Sequence, residues 1–297
     1  MTPALVIGRS GQLALSLAER AKAEGRPLVF VGRPDTDLED AASLRHALLS
    51  SGAGIVVNAA AYTAVDQAED EPDRAWAQNA EAPRILAEAA RDAGARLIHV
   101  STDYVFDGSG DAPRREGDPT GPAGVYGRTK LAGEEAIRAV LPGHAIVRTA
   151  WVYSPFGRNF VKTMLALARS RPALRVVGDQ VGNPTSALDL AEGLLALVRT
   201  WEREPDRGAG ATYHLAGTGS ASWAEFAQEI FAFSAARGGP TASVEAIATA
   251  DWPAKAPRPL NSRLDSTLFA ETFGYRAPPW RESLALVVER LLAEGEG

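Results

Sequence analysis

The feature that most constrains this chain lies at its start. Ala4–Ile7 is a short apolar run, it ends in Gly8-Arg9-Ser10-Gly11, and apolar residues then recur at helical spacing through Leu13, Leu17, Ala18 and Ala21 as far as Gly25. A buried-type strand, a glycine turn and a helix in immediate succession open a βαβ unit. Glycine lets the backbone turn sharply and come close to a pyrophosphate. The helix N-terminus adds unpaired N–H groups and a partial positive charge. The third small residue is Ala14, which still permits close helix–strand packing. An ordinary βα turn can look similar, but the strand–turn–helix context favours a dinucleotide site with Gly8 and Gly11 at its turn.

The same alternation continues. Leu28–Val31, Ile55–Val57 and Leu97–Val100 read as strands, as do the stretches around Ile146–Val147 and Val176–Val177. Leu44, Leu48 and Leu49 share a helical face, and a long helix is predicted from Asp73 to Asp92, stopped by Gly94. Continuous apolar strands between helices predict an α/β fold: a Rossmann-type doubly wound parallel sheet, buried on both faces, with right-handed crossovers. After about residue 150 strands thin out and Gly/Pro breaks appear, among them Ser154–Gly157, Gly182–Pro184 and Trp252–Pro259. Helices are predicted there over Trp223–Ala236 and Glu282–Glu294. The expected division is a dinucleotide-binding domain over residues 1–150 and a smaller C-terminal substrate-binding lobe mainly over 151–297. Part of 180–220 is expected to return to the sheet.

Composition removes several function classes. The formal net charge is −6 with no basic stripe, which argues against a nucleic-acid partner, and an anionic ligand needs local cations instead. No apolar run approaches the roughly 18 residues of a membrane span. The start carries no basic stretch of a secretory signal, so the cytoplasm is the expected location. The absence of cysteine excludes disulfides, thiolate metal sites and cysteine nucleophiles. His46, His99, His144 and His214 are scattered, so no metal site is expected.

Two further places suggest chemistry. The second strand ends at Gly32-Arg33, where a carboxylate would bind ribose hydroxyls and an arginine can pair a 2′-phosphate. Arg33 therefore tilts the expectation toward NADPH over NADH, although a solvated arginine is an equally ordinary reading. Asp37 and Leu38 follow, placed to flank an adenine. Tyr126 and Lys130 stand four residues apart, on one face of a helix that follows the Pro119–Gly124 loop. A lysine cation favours a phenolate, so this spacing is expected to lower the tyrosine pKa toward neutrality. Thr102 lies upstream at the C-terminal end of a strand, the edge where open α/β sheets bind ligands, and can hydrogen-bond a substrate carbonyl.

Together these residues resemble the extended short-chain dehydrogenase/reductase superfamily and, within it, the dTDP-4-dehydrorhamnose reductases. The resemblance runs through Val57-Asn58 to Asp66, Ser101 to Phe106, Val125 to Glu134, Arg148 to Tyr153, Gly182-Asn183-Pro184-Thr185 and Arg258 to Arg263. The last two stretches belong to the substrate side of that family and are the more specific. The resemblance implies NADPH or NADH as cofactor and reduction of the C4 ketone of a dTDP-sugar. It implies that Gly11, Gln12 and Leu13 contact the pyrophosphate, that Asp37 and Leu38 flank the adenine, and that Ala61, Tyr62 and Thr63 line the nicotinamide half above Val100. Thr102, Tyr126 and Lys130 are then the catalytic set. Asp103, Trp151 and Asn183 are placed on the substrate side, and Arg258, Asn261 and Ser262 where the lobe closes over the diphosphate. Packing alone is also an ordinary use for a tryptophan such as Trp151.

The pattern departs from the family where some members bridge a dimer with Mg²⁺ through glutamates. Ser16 and Leu188 stand there, and neither suits a hard cation, so no bridge is expected and the chain is read as a monomer or homodimer. Two other readings stay open. One is a different nucleotide-sugar ketoreductase, epimerase or dehydratase, although Asp103 is followed by Tyr104 and not by the second carboxylate of a dehydratase. The other is a non-catalytic NADP-binding regulatory subunit like that of methionine adenosyltransferase, against which the intact Thr102, Tyr126 and Lys130 argue.

Overall fold

The apolar runs of the first half assemble into one sheet. In the computed structural model, which describes residues 3–294, the strands β1 (Ala4–Ile7), β2 (Leu28–Val31), β3 (Ile55–Asn58), β4 (Arg96–Thr102) and β5 (His144–Thr149) are all parallel. Their order is β2-β1-β3-β4-β5, and Ala211–His214 pairs in parallel with β5 to make the sixth strand. The chain steps one way from β1 to β2 and the other way to β3. A crevice therefore opens at the C-terminal ends of β1 and β3, the usual ligand position in such sheets.

Strand side chains alternate between faces, and this separates two cores. Leu5, Ile7, Val56 and Leu97 pack with Leu44 and Leu48 of helix α2 (Ala41–Ser51) and with Leu86 and Ala90 further on. Their neighbours Val6, Val57 and Ile98 face the other way. They meet Leu13 and Leu17 of α1 (Gln12–Ala23), together with Leu190, Leu194 and Leu197 of the helix Ala187–Arg203. Each fully buried aliphatic side chain contributes roughly 1.5–3 kcal/mol. Helix α2 starts where the Asp40 carboxylate accepts from the Ala42 and Ser43 N–H groups, and it stops at Gly52 with φ +62°.

The single helix expected over Asp73–Asp92 is more elaborate. After the short α3 (Val65–Ala68), helix α4 (Pro72–Trp76) runs into a π-helical turn, Ala77–Glu81, and then into α5 (Ala82–Asp92). Helix α6 (Val125–Val140) lies beside them and carries Tyr126 and Lys130.

One expected strand is corrected. Val176 and Val177 do not join the central sheet; Ala173–Val177 pairs in parallel with Ser243–Ile247 in a separate two-stranded sheet. The sheet's sixth position goes to Ala-Thr-Tyr-His, residues 211–214, whose polar members hide an edge strand from an apolar-run criterion. The smaller lobe has its own core of Tyr153, Phe226, Ile230, Trp280, Leu284 and Val287. Its helices Trp223–Ala235 and Trp280–Glu294 sit close to their expected places. The first begins with a capping box between Ser222 and Glu225. No helix among the described residues is long and apolar enough to cross a membrane.

Candidate active site

A cavity of about 590 Å³ fills the crevice and runs from the first glycine turn to the C-terminal ends of β4 and β5. Gly8, with φ +125°, forms one wall, and a Cβ there would meet the Ala59 backbone at 3.5 Å. The N-cap of α1 is Gly11, which makes no side-chain capping bond, so the first N–H groups of the helix are left for a ligand. Gln12, Leu13, Arg33, Leu38, Ala61 and Thr63 also line the cavity, as do Val100, Thr102, Asp103, Tyr126, Lys130 and Trp151. These residues fit a dinucleotide: a cradle without side chains, unpaired N–H groups, and arginines at the adenosine end.

Those arginines are not committed elsewhere. Arg33 is 3.9 Å from Asp37, and Arg9, which also lines the cavity, is 3.1 Å from Asp35. Both pairs are exposed, and such pairs contribute little, so a phosphate can recruit either guanidinium. Arg9 escaped the sequence reading because it sits inside the glycine turn. Its nearness to position 32 is a matter of tertiary structure: a Cβ on Gly32 would lie 3.1 Å from the Arg9 Cβ. Arg158 lines the cavity as well, from the loop whose Ser154 and Asn159 donate to the Gln12 side-chain oxygen Oε1 at 2.8 and 3.0 Å.

At the other end, the Thr102 hydroxyl donates to Asp103 Oδ1 at 3.0 Å and accepts from the Tyr104 N–H at 3.2 Å. Asp103 is buried, and its Oδ2 has no hydrogen bond of normal geometry. Burial pushes its carboxyl up to about 6, against the pull of the nearby Ser262 and Thr102 hydroxyls. The Tyr126 ring packs edge-on to Tyr104 with centroids 5.4 Å apart. Helix α6 is pinned there because the Val125 N–H donates to Glu69 Oε1 at 2.7 Å and because Gly127 lets the helix meet the Tyr104 carbonyl.

The expected effect of Lys130 on Tyr126 is corrected. Burial drives the Tyr126 phenol upward, the Thr102 hydroxyl offsets part of this, and Lys130 does not contribute. Its amine instead donates to the Val100 carbonyl at 2.7 Å and lies 3.2 Å from His99 Nε2. Burial lowers the Lys130 amine to about 8, with Glu134 acting the other way.

Several expected site residues lie outside the cavity. Asn183 is buried, donating to the Gly217 and Gly219 carbonyls and accepting from the Leu264 N–H. Asn261 is engaged likewise with the Ser109 and Ala112 carbonyls and with Arg263. Both amides are consumed in holding loops. Tyr62 turns its ring behind the cavity against Val125 and Tyr126, and its hydroxyl donates to Glu71. Asp37 caps the turn at Glu39. Arg258 stands at the rim, donating to Asp66 at 2.6 Å and to the Tyr104 hydroxyl at 3.2 Å. Trp151 is the one non-glycine residue with positive φ, +48°, among the described residues. Its ring stacks on Trp223 with centroids 3.6 Å apart and covers Gly182, where a Cβ would lie 2.5 Å away. Strain of this kind, about 1–3 kcal/mol, persists where surroundings over-determine it, commonly at functional sites. Asn79 in the π-helical turn was also missed. It accepts from the Tyr62 N–H, donates to the Tyr62 carbonyl and reaches Thr129, so it ties the cavity wall to α6.

Comparison with known proteins decides the family. The model of the RmlD substrate binding domain family matches residues 1–293. This chain belongs to that family. Among relatives of this RmlD-family chain, the dTDP-4-dehydrorhamnose reductase of Sinorhizobium fredii is 44% identical over 294 residues, 98% of each chain. The dTDP-4-dehydrorhamnose reductase of Escherichia coli is 40% identical over 295 residues, 98% of this chain and 97% of that one. Among solved structures, the dTDP-4-dehydrorhamnose reductase of Bacillus anthracis in complex with NADP superposes with a TM-score of 0.88. It is 34% identical, with 99% of this chain and 100% of that chain covered.

Proposed function

We propose that the chain reduces the C4 ketone of dTDP-4-dehydro-6-deoxy-L-mannose to the alcohol of dTDP-L-rhamnose, with NADPH as reductant. The observation that carries this reading is the single cavity that joins the uncapped N-terminus of α1 to Thr102, Tyr126 and Lys130. The relatives named above support the substrate and the cofactor.

NADPH supplies a hydride when bound. The N–H groups of Gly11, Gln12 and Leu13 hold its pyrophosphate, Arg9 and Arg33 its 2′-phosphate, and Arg158 adds a cation beside the turn. Leu38 supports the adenine, and Ala61 and Thr63 with Val100 line the nicotinamide half. On the substrate side the Thr102 hydroxyl turns from Asp103 to the ketone, orients it and donates to its oxygen as negative charge grows. Tyr126 gives its proton to the same oxygen. Its raised pKa keeps the phenol protonated, the form a reduction requires. Lys130 fixes the nicotinamide ribose. Asp103 and Trp151 contact the sugar. Arg258 exchanges Asp66 for the diphosphate, while Asn183, Asn261 and Ser262 shape the loops beneath it. The division between the dinucleotide-binding domain and the substrate lobe falls near residue 150. A monomer or homodimer in the cytoplasm completes this reading.

The test is absorbance at the nicotinamide band with the dehydro-sugar generated in place by the upstream enzymes. Oxidation of NADPH with formation of dTDP-rhamnose is expected. Positioned proton transfer contributes about 10²–10⁴ in rate, so Tyr126→Phe should lose at least the lower figure while retaining cofactor binding. Wild-type turnover in Tyr126→Phe refutes the assignment.

A further inference from the structure

Behind the cavity lies a buried chain of polar groups that the chemistry above does not use. Asn58, at the end of β3, and His99, in β4, are 1% and 0% exposed. The Asn58 amide nitrogen is 3.0 Å from His99 Nδ1, and on the far side of the ring His99 Nε2 is 3.2 Å from the Lys130 amine. Burial first, then Lys130 and Arg138, hold the imidazole well below its ordinary pKa, so it is neutral. A neutral imidazole carries one proton, and its neighbours decide which nitrogen bears it.

The orientation of Asn58 makes that decision. Its Oδ1 accepts from the Ala60 N–H at 3.3 Å, which leaves the NH₂ group pointing at His99 Nδ1. Nδ1 must then accept, and the proton sits on Nε2, facing Lys130. An ammonium group has no lone pair to receive it. An uncharged amine can accept from Nε2–H while still donating to the Val100 carbonyl. The ammonium form is served only if the ring takes the other tautomer. That in turn needs the Asn58 amide reversed, with the Ala60 N–H deprived of its acceptor. Ala60 belongs to the strip that lines the dinucleotide cavity.

We propose that Asn58 and His99 form a tautomer-setting pair that turns an N–H toward the Lys130 amine, disfavours its ammonium form, and makes both of them positioning residues for Lys130. This rests on the role given to Lys130 above. The other titratable groups on the elements packed here are few. Tyr126 and Glu134 share the helix, with Glu134 engaged by Ser101, Arg138 and Arg148. Asp103 and Tyr104 follow β4, and Tyr62 and Glu71 stand across the cavity wall. Of these, only Glu134 acts on the Lys130 charge, and it favours the ammonium, so it cannot be the source of the effect.

The experiment is imidazole ¹⁵N NMR on the protein without added cofactor, with His99 assigned through its backbone. Nε2–H and Nδ1–H tautomers give distinct nitrogen shifts. The expected result is a neutral imidazole that is Nε2–H at pH 9, where Lys130 is an uncharged amine. An Nδ1–H tautomer at that pH overturns the proposal without recourse to any variant. The second measurement follows the ¹³Cε signal of Lys130 with pH; the lysines to be told apart are Lys22, Lys130, Lys162 and Lys255. Asn58→Asp offers His99 only acceptors, so it should turn the ring to Nδ1–H and move the Lys130 midpoint up by about one pH unit or more. An unmoved midpoint in folded Asn58→Asp also overturns the proposal. Turnover is read separately: the wrong tautomer in an active reductase sinks this inference alone, and the expected tautomer in a protein without turnover sinks only the role assigned to Lys130.

Discussion

Asp103→Asn should stabilise the protein at neutral pH while impairing it as a reductase. The Asp103 carboxyl is 4% exposed, its Oδ2 lacks a hydrogen bond of normal geometry, and burial raises it from 3.8 to about 6. A folded-state pKa above the unfolded value means that the group favours the fold while protonated. Its contribution is complete below pH 3.8 and is lost as pH rises through about 6. At 1.36 kcal/mol per pH unit, the displacement corresponds to about 3 kcal/mol lost by pH 8. Asparagine has no charge to desolvate. Its Oδ1 can still accept from Thr102, but its NH₂ would stand where Oδ2 now lacks a partner, at a cost of about 1 kcal/mol. The net gain at pH 8 is then about 2 kcal/mol, shrinking to zero or below at pH 4. The assay is urea unfolding of both proteins at pH 4, 6 and 8, read by near-UV circular dichroism. A stability difference that does not change with pH would refute the reasoning, because only ionisation of Asp103 makes it pH-dependent.

Four other substitutions test different parts of the structure. Arg9→Ala and Arg33→Ala should each weaken NADPH about 10-fold or more relative to NADH, since a charge-assisted hydrogen bond is worth about 1.5–3 kcal/mol; equal losses for both cofactors in steady-state KM would remove these residues from the 2′-phosphate. Gly182→Ala puts a methyl group into the Trp151 ring, so the sugar-nucleotide KM should rise while NADPH affinity holds, with a change in tryptophan fluorescence; unchanged values of both would detach Trp151 from the substrate. For Glu134, burial alone would raise the carboxyl, but Arg148, Ser101 and Arg138 more than reverse this and lower it. That stability is present above the ordinary carboxylate range and is lost as pH falls through it. Glu134→Gln leaves Arg148 buried without a counter-charge and should cost about 3–5 kcal/mol in denaturant unfolding; a loss under 1 kcal/mol would mean water already reaches Arg148.

The parts of the fold that were readable from sequence are those written in adjacent residues. Leu5 and Ile7 alternate with Val6, and the glycine turn follows at once, so β1, the turn and α1 announce themselves. Tyr126 and Lys130 are likewise legible because a helix places positions four apart on one face. Ala211–His214 was illegible for the opposite reason. As an edge strand it needs apolar character only at Tyr213, which packs with Phe269 and Phe273, so no continuous run marks it. The π-helical turn at Ala77–Glu81 leaves the apolar pattern of a helix nearly intact while turning Asn79 toward Tyr62 and Thr129.

The site teaches a sharper distinction between where a residue sits and what its atoms are doing. Motif likeness placed Asn183 and Asn261 on the substrate side, and both are close to it in the chain's architecture, yet each amide is spent on backbone groups of neighbouring loops. Lys130 shows the same in electrostatics. Its spacing from Tyr126 suggests a cation lowering a phenol, but a charge acts from where its side chain places it, and this one is placed against His99 and the Val100 carbonyl. The N–H that we propose faces Lys130 is set by Asn58 and His99, 72 and 31 positions earlier in the chain. No local pattern can join those residues to a helix so far downstream. Only the parallel pairing of β3 with β4, which sets Asn58 beside His99, brings the amide and the imidazole into line behind the amine.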